Sequence, residues 1–145
     1  MISDNINHKA IIDVYKNAHI ALQSIHDILP ETEDEKLKSE LMLEYDGYKS
    51  FMDDLSSYLD DIDVVPEDIG AFKKAMMKGA IKFKTLVNDS RNHIAEMMIK
   101  GTIMGITELT AMKNENQNYD EEVLDFITRL LHLEEEYERR LKKFL

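Results

Sequence analysis

Apolar residues recur at helical spacing along the whole chain, and strand-like alternation occurs nowhere. The pattern predicts an all-α protein. The first stripe is Ile11, Val14, Ala18, Ala21, Ile25 and Ile28, widened by Tyr15, Leu22 and Leu29. It predicts a helix over 7–29, capped by Asn5 or Asn7 and stopping before Pro30. Thr32-Glu33-Asp34-Glu35 has the S/T-x-x-E form of a capping box, so a second helix is expected over 33–62. Its stripe is Leu37, Leu41, Tyr45, Tyr48, Met52, Leu55, Leu59 and Ile62. The few residues between the two helices require them to pack antiparallel.

Pro66 stands near the start of a third helical stretch, expected over 67–87, with Phe72, Met76, Ala80, Phe83 and Val87 at helical spacing. Asn88, Asp89 and Ser90 offer caps for a further helix over 90–113. Between 97 and 112 only Lys100 and Glu108 are charged, and apolar side chains sit on every face. A helix that is hydrophobic all round belongs inside a bundle. Gly101 and Gly105 are four apart, so they share a face and predict the close approach of a neighbouring helix. A polar loop, 114–118, precedes a last helix over 120–143. That helix carries Val123, Ile127, Leu130, Tyr137, Leu141 and Phe144 in its stripe. Its basic end, Arg139, Arg140, Lys142 and Lys143, suits the helix dipole.

Composition narrows the classes. A chain of 145 residues is long enough for one domain with a real core. It has no cysteine, which excludes disulfides and thiolate metal sites. No signal peptide or membrane-length apolar run is visible, so the expected location is the cytoplasm. The net charge of −11 argues against nucleic-acid binding. One stretch departs from this balance. Lys73, Lys74, Lys78, Lys82 and Lys84 fall within 69–88 with no acid among them, and the remaining 13 basic and 29 acidic residues carry −16. A basic amphipathic helix can dock on a membrane surface or an anionic partner, or lie on its own acidic bundle.

Two carboxylates interrupt the apolar stripes. Glu44 stands between Leu41 and Tyr48, and Glu134 between Leu130 and Tyr137. A buried acid must find a partner or stay protonated. Glu44 could bond to a tyrosine hydroxyl at the bundle edge or ligate a metal. His19 and His26 sit at the edge of the first stripe, and His19 lies about level with Met42, near Glu44. No nucleophilic triad, P-loop or dinucleotide fingerprint is present.

Two helical hairpins joined by a long connection form the ferritin-like arrangement of four helices with one long crossover. The runs YKNAHIALQSIHDILPETEDEKLKSEL and HIAEMMIKGTIMGITEL resemble small ferritin-like proteins of unknown function from anaerobic bacteria. The resemblance covers the chain in length and order. It implies a ferritin-like four-helix bundle with a partly helical crossover. Di-iron members of that class carry Glu on two helices and Glu-x-x-His on the other two. Here Glu44-Tyr45-Asp46-Gly47 has glycine in the histidine position, and Glu134-Glu135-Glu136-Tyr137 has tyrosine. The first helix has no glutamate, Glu96 points away from the core side, and Glu108 points inward but level with Leu124 rather than Glu134.

Three functions follow as expectations. The first is a non-catalytic bundle with a degenerate di-iron site that self-associates, as a homodimer using Gly101 and Gly105, or binds another protein. The second is a metal-binding or oxidase-type protein with iron or another divalent metal on Glu44, Glu134 and His19. The third is an anionic-partner or membrane-surface binder acting through Lys73, Lys74, Lys78 and Lys82.

Overall fold

The computed structural model describes residues 5–64, 90–115 and 118–145. Among these residues there are four helices and no strand: α1 (Asn5–Ile28), α2 (Glu35–Asp61), α3 (Arg91–Glu115) and α4 (Glu121–Leu141). Short 3-10 turns follow α1 at Leu29–Glu31 and α4 at Lys142–Phe144. The expected helix over 67–87, with Lys73, Lys74, Lys78 and Lys82, lies outside the described residues, as do Asn88 and Asp89.

The helix ends are made by different residues from those the sequence suggests. Asn7 does not cap α1; it is buried inside that helix, and its Oδ1 accepts the Asp120 N–H at 2.8 Å. It therefore ties α1 to the start of α4. The capping box at Thr32 does not form either. Asp34 is the N-cap of α2, and its Oδ1 accepts the Leu37 N–H at 2.9 Å. Thr32 turns back instead, and its hydroxyl donates to the Ile28 carbonyl at 2.8 Å. Aspartate supplies the charged acceptor that a helix N-terminus favours, while threonine satisfies a carbonyl left open at the end of α1. At its other end α2 closes in a Schellman motif. The Val64 N–H donates to the Leu59 carbonyl at 3.0 Å and the Asp63 N–H to the Asp60 carbonyl at 3.2 Å. Asp63 takes the left-handed position, with φ 53°.

The stripes of α1, α2 and α4 meet in one core. Ile11, Val14, Ala18 and Ile25 from α1 are buried against Leu37, Leu41 and Leu55 from α2 and Val123, Ile127 and Leu130 from α4. Phe51 and Phe126 meet edge to face with ring centroids 5.8 Å apart. Each fully buried aliphatic side chain contributes about 1.5–3 kcal/mol. Exposed pairs such as Lys9–Asp13 and Lys49–Asp53 add little, because water and salt screen them. Core burial, not surface pairing, decides the stability.

Cross-helix contacts fix the directions. Arg140 meets Glu40 and Arg129 meets Asp54, so α2 and α4 run antiparallel. Asn7 meets Asp120, and Asn17 and Glu134 both abut Gly105, so α1 and α4 run parallel. Arg91, at the start of α3, reaches Asp34, at the start of α2, at 3.9 Å. Thus α2 and α3 point the same way, and α2 ends at the opposite end of the bundle from the start of α3. A helix the length of α2 spans about 40 Å, so those two points lie about that far apart.

The reading of α3 as a helix buried on every face is corrected. Ile94, Ala95, Met98, Ile99, Leu109 and Met112 are buried, but Ile103 is 44% exposed and Met104 74% exposed. A β-carbon at Gly101 would meet nothing within 4 Å, so no described helix approaches closely there. The lack of charge in α3 reflects a cavity and an outer apolar face, not enclosure. No described helix is long and apolar enough to cross a membrane.

A left-handed φ strains an aspartate more than a glycine. Asp63→Gly should raise the unfolding free energy by about 0.5–1 kcal/mol in denaturant titration, since glycine adopts this conformation without steric cost.

Candidate functional site

A cavity of about 380 Å³ opens between α1 and α3 and runs down to the middle of the core. Its upper walls are apolar: Ile20, Ala21 and Ile25 from α1, and Met97, Met98 and Met104 from α3. Its floor is polar and is drawn from all four helices. Asn17 comes from α1, Glu44 and Tyr48 from α2, Gly105 from α3 and Glu134 from α4. Asp13, Lys16 and Glu108 also line it.

The two sequence-selected glutamates are both buried, each only 1% exposed, and both line this cavity. Their surroundings differ. Glu44 does not bond to a tyrosine, as one reading of the sequence expected. It bonds to Glu40, one turn back on α2. Glu40 in turn accepts from Arg140 Nε at 3.2 Å and Nη2 at 2.7 Å. Burial raises the pKa of Glu44 most, and the neighbouring Glu40 carboxylate raises it further, against the opposing pull of Arg140. Glu134 is pushed up to about 9, first by burial and then by the charge of Glu108, while the Tyr48 hydroxyl that bonds to it opposes the rise. Tyr48 itself is raised well above the ordinary phenol value, chiefly by burial.

Four buried oxygens have no hydrogen-bond donor among the described residues: Asn17 Oδ1, Glu40 Oε2, Glu44 Oε2 and Glu134 Oε1. They fall into two neighbourhoods. Glu40 and Glu44 are bonded neighbours. Glu134 Oε1 and Asn17 Oδ1 lie 2.5 Å and 3.2 Å from the position that a β-carbon on Gly105 would take. Two carboxylates cannot bond to each other, but an acid and a carboxylate can. One proton on Glu44 supplies a donor toward Glu40 and accounts for that pair. Glu134 Oε1 and Asn17 Oδ1 are left as two acceptors beside Gly105.

The remaining sequence candidates separate. His19 does not join Glu44. It stacks on Tyr15, with ring centroids 5.8 Å apart, and is not among the residues lining the cavity. A heptad count from a short turn gives a level along the bundle but not the side to which a residue turns. Glu108 was expected level with Leu124; it instead sits on the same cavity as Glu134, joined through Asn17, whose Nδ2 donates to Glu108 Oε1 at 3.3 Å and to the Gly105 carbonyl at 3.1 Å. Glu96 points away as expected and pairs with Lys100 at 2.9 Å. Gly105 makes a close approach, although to the Glu134 and Asn17 side chains rather than to a backbone.

The two Glu-x-x-His positions without histidine are adjacent in space. A β-carbon on Gly47 would overlap Tyr137 Oη and lie 3.1 Å from its Cζ. The tyrosine on α4 is accommodated because α2 has no side chain at Gly47. Tyr48 meets the Tyr137 ring edge-on at 5.3 Å, so two phenols fill the space beside the glutamates. A di-iron centre requires carboxylates and imidazoles converging at bonding distance. Among the described residues no three His, Asp or Glu side chains are grouped so as to hold a metal ion. The residues present do not fit a di-iron centre.

Sequence reasoning missed Asn17, Tyr48 and the Glu40–Arg140 pair. Asn17 carried a signal, since it lies beside Ala18 within the first stripe and is a buried amide. The other contacts join residues about a hundred positions apart and left no mark in local spacing. Comparison of the chain with protein-family models, curated proteins and solved structures finds no match.

Two substitutions probe this packing and its protons. Gly47→Ala adds helix propensity, yet should lower stability by about 1–3 kcal/mol through overlap with Tyr137. Tyr137→Phe, which removes the hydroxyl, should recover part of that loss in a double-mutant cycle followed by thermal unfolding. For Glu134 the linkage sign is fixed by its raised folded value. Its contribution is fully present below the unfolded carboxylate value of 4.5 and is lost as pH rises to about 9. Glu134→Gln should therefore flatten the fall in stability over that window and be stabilising by about 1–3 kcal/mol at neutral pH. Denaturant titrations at several pH values measure both slopes.

Proposed function

We infer that the protein is a non-catalytic, ferritin-like four-helix bundle with a degenerate di-iron site, and that it acts by association, as a homodimer. The observation that carries the reading is the fit of Tyr137 against Gly47. These are the two positions at which di-iron members carry histidine, and here they are occupied by mutual packing. The parallel α2 and α3, with a crossover between them, support the ferritin-like topology.

The surface of association is the outer side of α3. Residues 101–107 contain no charge, and Ile103 and Met104 are exposed there. A chain carrying −11 repels its own copies over most of its surface, so an uncharged strip is where two copies meet at least cost. A two-fold contact of this kind is self-complementary and uses the same strip twice.

Ile103 does not line the cavity, so Ile103→Glu tests the interface while leaving the site intact. The parent should sediment at twice the chain mass, and Ile103→Glu should shift it to one chain mass with its helical circular dichroism unchanged. A parent that sediments as a monomer at its highest soluble concentration would overturn the association. Stoichiometric iron in protein isolated anaerobically without a histidine tag would overturn the degenerate site.

A further inference from the structure

The cavity between α1 and α3 combines features that core packing does not require. Its walls are the aliphatic and methionine side chains of Ile20, Ala21, Ile25, Met97, Met98 and Met104. Its floor presents two buried acceptors without a donor among the described residues, Asn17 Oδ1 and Glu134 Oε1. A molecule that suits the floor must bring hydrogen-bond donors. A molecule that suits the walls must have an apolar body. The charge of the lining decides between neutral and charged donors. Four carboxyl groups line it, those of Asp13, Glu44, Glu108 and Glu134, against one amine, Lys16, and the two buried acids are neutral until a cation takes the place of a proton. An anion is disfavoured there, and a cation is favoured. Apolar pockets of this size with a few convergent polar groups are the usual form of small-molecule sites.

We propose that this cavity binds a primary alkylammonium ion, with its head on the Asn17 and Glu134 oxygens beside Gly105 and its alkyl chain between α1 and α3. Two N–H bonds of the head meet these two acceptors, contributed by α1 and α4, and the third is left for the rest of the polar floor, which includes Glu44. On binding, the ammonium replaces the acid proton of Glu134. That proton leaves to solvent, and the resulting carboxylate pairs with the cation. Tyr48, whose hydroxyl bonds to Glu134, holds the carboxyl toward the cavity. Gly105 leaves room for it, since a β-carbon there would stand 2.5 Å from Glu134 Oε1. One chain supplies the whole site, so the inference does not rest on dimer formation.

The test uses the full chain and three probes that share one alkyl body: n-hexylamine, n-hexanol and hexanoate. Titration calorimetry at neutral pH should show the amine binding saturably at one per chain, the alcohol at least tenfold more weakly, and hexanoate not at all. The double variant Glu44→Gln/Glu134→Gln, which removes both acids at similar volume, should bind amine and alcohol equally, with its fold checked by circular dichroism. The single variant Glu134→Gln keeps the test decisive if the double variant does not fold, and should lose at least tenfold in amine affinity. Absence of amine binding, or alcohol bound as tightly as amine by the parent, would overturn the proposal. So would amine bound equally by the parent and by Glu134→Gln.

Discussion

Burying two carboxyl groups in one apolar core is the constraint to which the middle of this bundle answers. An ionised Glu44 or Glu134 would lose its hydration with little to replace it. Glu44 is instead placed beside Glu40, an acceptor that its own proton can reach, and Glu134 beside the Tyr48 hydroxyl. That requirement extends outward. Glu40 in turn accepts from Arg140 of α4, which is only partly exposed. Asn17 is oriented because its amide nitrogen is engaged by Gly105 and Glu108 on α3. The polar floor therefore links all four helices by directional contacts, in a core otherwise held by non-directional burial.

Much of the architecture was legible in spacing. The stripes of α1, α2 and α4 are buried nearly as written, because an amphipathic helix has one orientation that hides its apolar side. Glu44 and Glu134 stood out as acids in apolar positions and are buried. The sequence did not reveal how helices face each other across the core. Gly47 and Tyr137 were visible as departures from a motif, but their mutual fit depends on the register between α2 and α4. His19 was expected near Glu44 and stacks on Tyr15 instead, for the same reason.

The reading of α3 failed differently. An uncharged helix face has two physical meanings, contact with other side chains and contact with a cavity or an outer partner, and composition does not distinguish them. Met98 and Leu109 meet the core, whereas Met104 meets the cavity and solvent, although all three are equally apolar in a pattern. At the helix ends, Thr32 and Asp34 competed for one role. The residue with the carboxylate took the N-terminus, and the hydroxyl closed the preceding helix.

The shared direction of α2 and α3 has a consequence for how the chain reaches this state. In an up-down-up-down bundle most contacts join neighbours in sequence. Here Asn7 bonds to a residue 113 positions away, Arg140 to one 100 away and Asn17 to one 88 away. The hairpins α1–α2 and α3–α4 can each form locally, but these contacts appear only when the two hairpins dock. Loop-closure entropy must be met before such contacts contribute. The docking of the two halves, rather than the winding of any helix, is the step that bears this entropy cost. Until it occurs, the two acids remain in water and ionised, and their protons are taken up as the halves close.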